Sequence, residues 1–331
     1  MVQRPSPPKP DFFIVGAPKC GTTSVYEYLK GHPEVFMSDA KEPRYFAPDD
    51  ALGASGHALR HGRDLERYLD LFAGARDEKR MGEASVGYIY SRRAPGLIHE
   101  FQPDARIVVM LRNPVDMIYS LHGQRLSEDR EDEPDFAAAL AAEEDRRAGR
   151  GVPAHATAAG STYRDRGRFA QLLPPWFETF GRDRVRVIIF EDFIRDPAAE
   201  FRRLLEFLEV DPTYQPPAFS VHNPSHTARS RFLRALTRTR AAQWIVWQLM
   251  PRVLGDRATR ALVRRFRHSR INRMPSKRER LDPDLRRQLE AEYAPDVAAL
   301  SELLGRDMSA VWFSPADQKA PEPATGSLGA P

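Results

Sequence analysis

The chain has 331 residues, 41% of them hydrophobic and 29% charged, with a formal net charge of +4 and a single cysteine. That size and balance suit one large globular core better than two equal domains, and they exclude wholesale disorder. The lone Cys20 excludes an intramolecular disulfide and any cysteine-based metal cluster, which fits a reducing compartment and points to the cytoplasm.

In chain order, residues 1–10 (MVQRPSPPKP) lack the apolar stretch of a secretory signal and read as a mobile, proline-rich tail. A folded domain is expected over 11–313. In it short apolar runs alternate with helical patterns: FFIVG then TSVYEYLKGH, RIVVML then VDMIYSLHGQ, VRVIIF then AAEFRRLLEFLEV. Continuous apolar strands separated by helices imply an α/β fold whose central parallel sheet is covered on both faces. Residues 128–150, charged and alanine-rich, read as a solvated helix with flexible ends. After residue 230 no strand signal remains, so the C-terminal portion is expected to be helical, its last long pattern ending at Gly305.

Residues 229–280 carry sixteen Lys or Arg against Asp256 and Glu279 only. The simplest reading is an Arg-rich, solvated helical element with Trp244 and Trp247 packed inward; peripheral contact with an anionic membrane surface is the alternative. No nucleic-acid-binding motif accompanies the charge, so nucleic acid is not an expected partner. No apolar run is long enough to span a bilayer. Residues 314–331 read as a second disordered tail.

The turn after the first strand, GAPKCGTTS, carries the chemistry. Gly16 and Gly21 keep the four-residue gap of a Walker A loop, but Thr22 and Thr23 stand where that loop has Lys and Ser/Thr, and Lys19 lies inside the loop. A strand end, two glycines, Pro18, three hydroxyls and a helix N-terminus are still the parts of a phosphate cradle. Enzymes that hydrolyse or transfer from ATP also keep a metal-holding acid near a neighbouring strand end. Here RIVVML ends in Arg112, which suits a further anionic group and argues against an ATP-using kinase.

These residues resemble sulfotransferases that use 3′-phosphoadenylyl sulfate, in particular the heparan-sulfate-type enzymes and related bacterial ones. PKCGTTS is similar to their 5′-phosphosulfate loop (Pro18, Lys19, Cys20, Gly21, Thr22, Thr23, Ser24), and RIVVMLRNPVDMIYS to their 3′-phosphate segment, with Arg112 and, eight residues later, Ser120. KEPRYF resembles the segment whose glutamate is the catalytic base, here Glu42. The resemblance implies a P-loop nucleotide-hydrolase type of fold, a PAPS donor, PAP as product, no metal, and transfer to a hydroxyl or, less favoured, an amine of a saccharide, lipid or small-molecule acceptor. Lys19 is then the leaving-group cation, and Glu42 a base for which a partly buried setting is expected. His122 is the rival base, with a packing role preferred. Arg229 and Ser230 are weaker cofactor contacts, and Arg44, Glu83, Ser85 and Tyr163 weaker residues near the acceptor or nucleotide. Arg44 and Ala84 depart from the family's histidine and lysine; loss of the lysine weakens the case for a polysaccharide acceptor, while Arg44 could replace some of that charge. A catalytically silent nucleotide-binding protein is the non-enzymatic alternative.

Overall fold

The computed structural model describes residues 9–47, 64–219, 226–228, 273–275 and 280–314. Five strands form one parallel sheet in the order β2-β3-β1-β4-β5: β1 (Phe12–Gly16), β2 (Val35–Met37), β3 (Arg80–Ala84), β4 (Arg106–Leu111) and β5 (Val185–Ile189). Phe12 to Val15 and Ile107 to Leu111 are fully buried, as central strands covered on both faces must be. Each such side chain withdrawn from water contributes about 1.5–3 kcal/mol, so these two strands anchor the core.

The helices that follow are α1 (Thr22–Lys30), α2 (Leu65–Leu69), α3 (Ala94–Phe101), α4 (Pro114–Ser127), α5 (Phe136–Ala141), α6 (Glu143–Arg147), α7 (Phe169–Leu172), α8 (Pro174–Phe180), α9 (Phe190–Arg195), α10 (Pro197–Leu208), α11 (Pro283–Leu304) and α12 (Met308–Trp312). Against the sheet, α1 packs on β2 and β3, α8 on β4 and β5, and α10 on β5. The long α11 runs unbroken through Pro295 and stops at Gly305, whose φ of 65° is the left-handed conformation that ends helices.

Strand order positions the site. The chain leaves β1, builds β3 and β2 on one side, then crosses to β4 and β5 on the other. The loops after β1, β3 and β4 therefore open at the same end of the sheet, at the switch point where parallel α/β sheets place their ligands.

Two expectations are corrected. A strand does occur after residue 230: β7 (Arg273–Pro275) pairs antiparallel with β6 (His226–Ala228). Three residues containing Arg and Pro show no periodicity, so only the pairing reveals the strand. Residues 128–150 are not simply a solvated helix either. They hold two short helices, and Glu131, Glu143 and Arg146 are buried. Arg146 meets Glu131 in a two-pronged ion pair at 2.7 and 2.8 Å, and Tyr163 Oη donates to the same carboxylate at 2.6 Å. Mutual pairing makes burial of these charges tolerable. The tails and the basic 229–280 segment, with Arg229 and Ser230, fall almost wholly outside the described residues.

Candidate active site

The turn between β1 and α1 leaves a helix end open for an anion. Gly21 caps α1 with φ 88° and offers no side-chain oxygen to the first-turn amides, and that turn holds no acid. The contrast with α2, α4, α5, α10, α11 and α12 is plain, since in each an Asp or Asn side chain accepts from those amides. α3, α6, α7, α8 and α9 also lack a side-chain cap; in α1 the Ser24 and Val25 amides turn back onto the Gly21 carbonyl, which leaves the Thr22 and Thr23 amides and the positive end of the helix dipole facing out of the turn. Gly16 is needed for close approach: a Cβ there would come within 2.6 Å of the Ile89 side chain. Thr22 and Ser24 are buried and Thr23 half-buried. Cys20 is fully buried with its Sγ on the Pro18 carbonyl at 3.4 Å, and burial pushes its thiol pKa far up, so it shapes the loop rather than reacting.

Arg112 joins this loop from the end of β4. Its Nη1 donates to the Lys19 carbonyl at 3.2 Å, and its guanidinium lies 4.7 Å from the Phe190 ring centre. Ser120 follows nearly two turns into α4 and is half-buried. The corner after Arg112 is fixed by residues that sequence reasoning did not single out. Glu191 accepts from the Asn113 amide at 3.0 Å and from Trp312 Nε1 at 2.9 Å, while Asn113 Nδ2 donates to the Trp312 carbonyl at 2.6 Å. Burial raises the Glu191 pKa, with these donors and Arg112 opposing.

On the other side of β1 lies the Glu42 loop. The Glu42 amide donates to Ala84 O at 2.8 Å, and its Oε2 accepts from Val86 N at 3.2 Å and Arg44 Nε at 3.3 Å. The Glu42 side chain is 26% exposed, so its setting is partly buried. Arg44 N donates to Ser85 Oγ at 3.0 Å, so three contacts dock this loop on the end of β3. Beside it, Lys41 Nζ donates to Thr23 Oγ1 at 2.7 Å and ties the Glu42 loop to the anion turn. Lys19, Glu42 and Arg44 have φ of 65°, 63° and 55°, a conformation costing of order 1 kcal/mol or more per non-glycine residue. Such strain is concentrated where the two loops face the open helix end.

Glu83 is fully buried beneath Glu42 and accepts from Tyr88 Oη at 2.7 Å, Ser85 Oγ at 2.9 Å and Tyr68 Oη at 3.0 Å. Burial pushes its pKa up to about 7, the three hydroxyl donors oppose this, and the Glu42 charge adds to it. Glu83 and Ser85 thus lie under the site, holding its floor, rather than on its surface. His122 is buried, bound to the Glu133 carbonyl at 2.9 Å and packed on Phe136 and Tyr163, which favours the packing role. Tyr163 is likewise interior, on Glu131. Among the described residues no group of three or more His, Cys, Asp or Glu is placed to hold a metal ion.

A parallel α/β sheet with an uncapped helix end, flanked by an arginine on one neighbouring loop and a carboxylate on the other, brings anion-binding groups and an acceptor of protons to one end of the fold. The chain belongs to the sulfotransferase family, its residues 9–232 matching the family's sulfotransferase domain. A crystal structure of a sulfotransferase from Alicyclobacillus acidocaldarius matches 93% of this chain and 100% of its own, with a TM-score of 0.67 and 30% identity. Carbohydrate sulfotransferase 15 of Homo sapiens is 35% identical over 147 residues, covering 34% of this chain and 26% of that protein. Heparan sulfate glucosamine 3-O-sulfotransferase 6 of Homo sapiens is 31% identical over 199 residues, covering 60% and 52%. The chain thus spans between about a quarter and about half of the length of these curated relatives.

Proposed function

We propose that this chain transfers a sulfuryl group from 3′-phosphoadenylyl sulfate to a hydroxyl, with an amine the lesser alternative. The observation that carries the reading is the uncapped, acid-free N-terminus of α1, set between Arg112 on one side and the Lys41–Glu42 loop on the other. The residues present fit the donor: Thr22, Thr23, Ser24 and the first-turn amides for the 5′-phosphosulfate, Arg112 and Ser120 for the 3′-phosphate. Bound there, the donor supplies the sulfuryl group and a bisphosphate leaving group.

The chain's own residues do the rest. An acceptor oxygen forms the new bond to sulfur as the bond from sulfur to the 5′-phosphate oxygen breaks, in line. The acceptor's proton passes to a Glu42 carboxylate oxygen. Lys19 and the α1 amides offset the negative charge that grows on the departing phosphate. No step calls for a metal ion. Relatives named for carbohydrate and heparan sulfate acceptors support a saccharide acceptor, lipid and small-molecule hydroxyls being the other candidates. Ala84, where the heparan-type pattern has lysine, favours a less anionic acceptor. No described helix is long and apolar enough to cross a membrane, and a cytoplasmic location is part of the proposal.

Titration calorimetry with adenosine 3′,5′-bisphosphate and with Mg-ATP tests the donor. The bisphosphate should bind more tightly, and Arg112→Ala should weaken it by about tenfold or more, the worth of a lost charge-assisted contact. Tighter binding of Mg-ATP, or an indifferent Arg112→Ala, would overturn the assignment.

A further inference from the structure

We infer that Lys41 is a fixed cation on the transferring group, held by Thr23 in the place where a P-loop nucleotide hydrolase holds its magnesium. The inference rests on the donor assignment above and adds to it a residue outside the loop.

The register makes the case. Counting from Gly16 and Gly21, Thr23 occupies the Ser/Thr position whose hydroxyl, in ATP- and GTP-using P-loop proteins, binds the Mg²⁺ that bridges the last two phosphates. In this chain the same hydroxyl is bound at 2.7 Å by the Lys41 ammonium. A positive charge has been put at the metal's position by a side chain arriving from the loop that also carries Glu42. Lys19, by contrast, belongs to the turn itself.

Lys41 is also short of an anion. It is half-buried, and among the described residues no carboxylate lies within ion-pair distance of it. Its neighbour Arg44, by contrast, is bonded to Glu42. A cation removed from much of its water, with a neutral hydroxyl as its partner among the described residues, is better compensated when an anion arrives. Its ammonium pKa is accordingly lowered by burial, with the more distant charges of Glu42 and Glu27 working against this. The anion that fits is the phosphosulfate seated on the α1 amides, whose oxygens on both sides of the breaking bond would come within reach of a cation at Thr23. From there Lys41 would draw charge from the sulfuryl oxygens and the bridging oxygen at once, as the magnesium does in phosphoryl transfer.

The donor and its product differ by the sulfuryl group alone, which gives a direct test. Calorimetry without acceptor is run with PAPS and with adenosine 3′,5′-bisphosphate on wild type, Lys41→Met and Lys41→Arg. Lys41→Met keeps the apolar stem; it should weaken PAPS by about tenfold or more and the bisphosphate by no more than about threefold, with turnover down about a hundredfold. Lys41→Arg, which keeps the charge, should recover part of the PAPS affinity. Retained bisphosphate affinity reports that the site is folded. Equal losses for both nucleotides, or no loss for either, overturn the role of Lys41. If wild type itself fails to bind the bisphosphate, the donor reading falls instead. Should Lys41→Met not fold, Lys41→Gln, which can still meet the Thr23 hydroxyl but carries no charge, decides: a selective loss of PAPS affinity relative to the bisphosphate supports the role, and an unselective loss or none refutes it.

Discussion

Glu42 and Glu83 place two carboxyl groups at the end of β3, and their surroundings separate their work. Glu42 is partly exposed beside the anion turn; Glu83 is sealed below it under three hydroxyl donors. Glu42→Gln should therefore leave bisphosphate affinity within about twofold and cut turnover by at least a hundredfold, the usual worth of a general base. Near-normal turnover would displace Glu42. Glu83 acts on stability. Its pKa rises from 4.5 in the unfolded chain to about 7 in the fold, so the folded state holds the proton more firmly. Stability from this group is then highest below pH 4.5, declines as pH rises through the window to about 7, and is flat above it, a total of about 3 kcal/mol. Glu83→Gln removes that slope, and urea unfolding at about pH 5 and pH 8 measures it. Parallel pH dependences in the two proteins would show that Glu83 does not titrate in the window.

At the scale of elements, the open end of α1 works only if its neighbours hold still. The corner from β4 into α4 is pinned by Asn113, Glu191 and Trp312, which connect it to α9 and to the closing helix α12. Trp312→Phe removes the indole donor and leaves the half-buried Glu191 one partner short, at a cost of about 1–2 kcal/mol. Because Arg112 is next to Asn113, the same variant should weaken bisphosphate binding several-fold, read by calorimetry beside urea unfolding. Unchanged affinity with lowered stability would confine the Trp312–Glu191 contact to a packing role. Elements also show where sequence reading falls short. The strands β1, β4 and β5 are visible as apolar runs, whereas β2 has three residues and β7 is an Arg-Met-Pro tripeptide, too short for any period to register. In residues 128–150 composition reveals the charges, but not that Arg146 and Glu131 face each other away from water.

For the whole molecule, α11 and α12 close the structure against its first half. Arg286 of α11 pairs with Asp116 of α4, and Tyr293 Oη donates to the Arg164 carbonyl at 2.9 Å. The sequence by itself determined the parallel α/β class, the turn with its inner lysine, Arg112 at a strand end and Glu42 beside Lys41, because each is a local pattern of a few adjacent residues. Only the tertiary structure decided that Lys41 reaches Thr23, that Glu83 lies buried under Glu42, and that Trp312 steadies the corner of Arg112. Those contacts join residues far apart in the chain, and they form because the strand order β2-β3-β1-β4-β5 brings three separate loops to one end of the sheet. Strand order is a property of packing between elements, and no short window of sequence contains it.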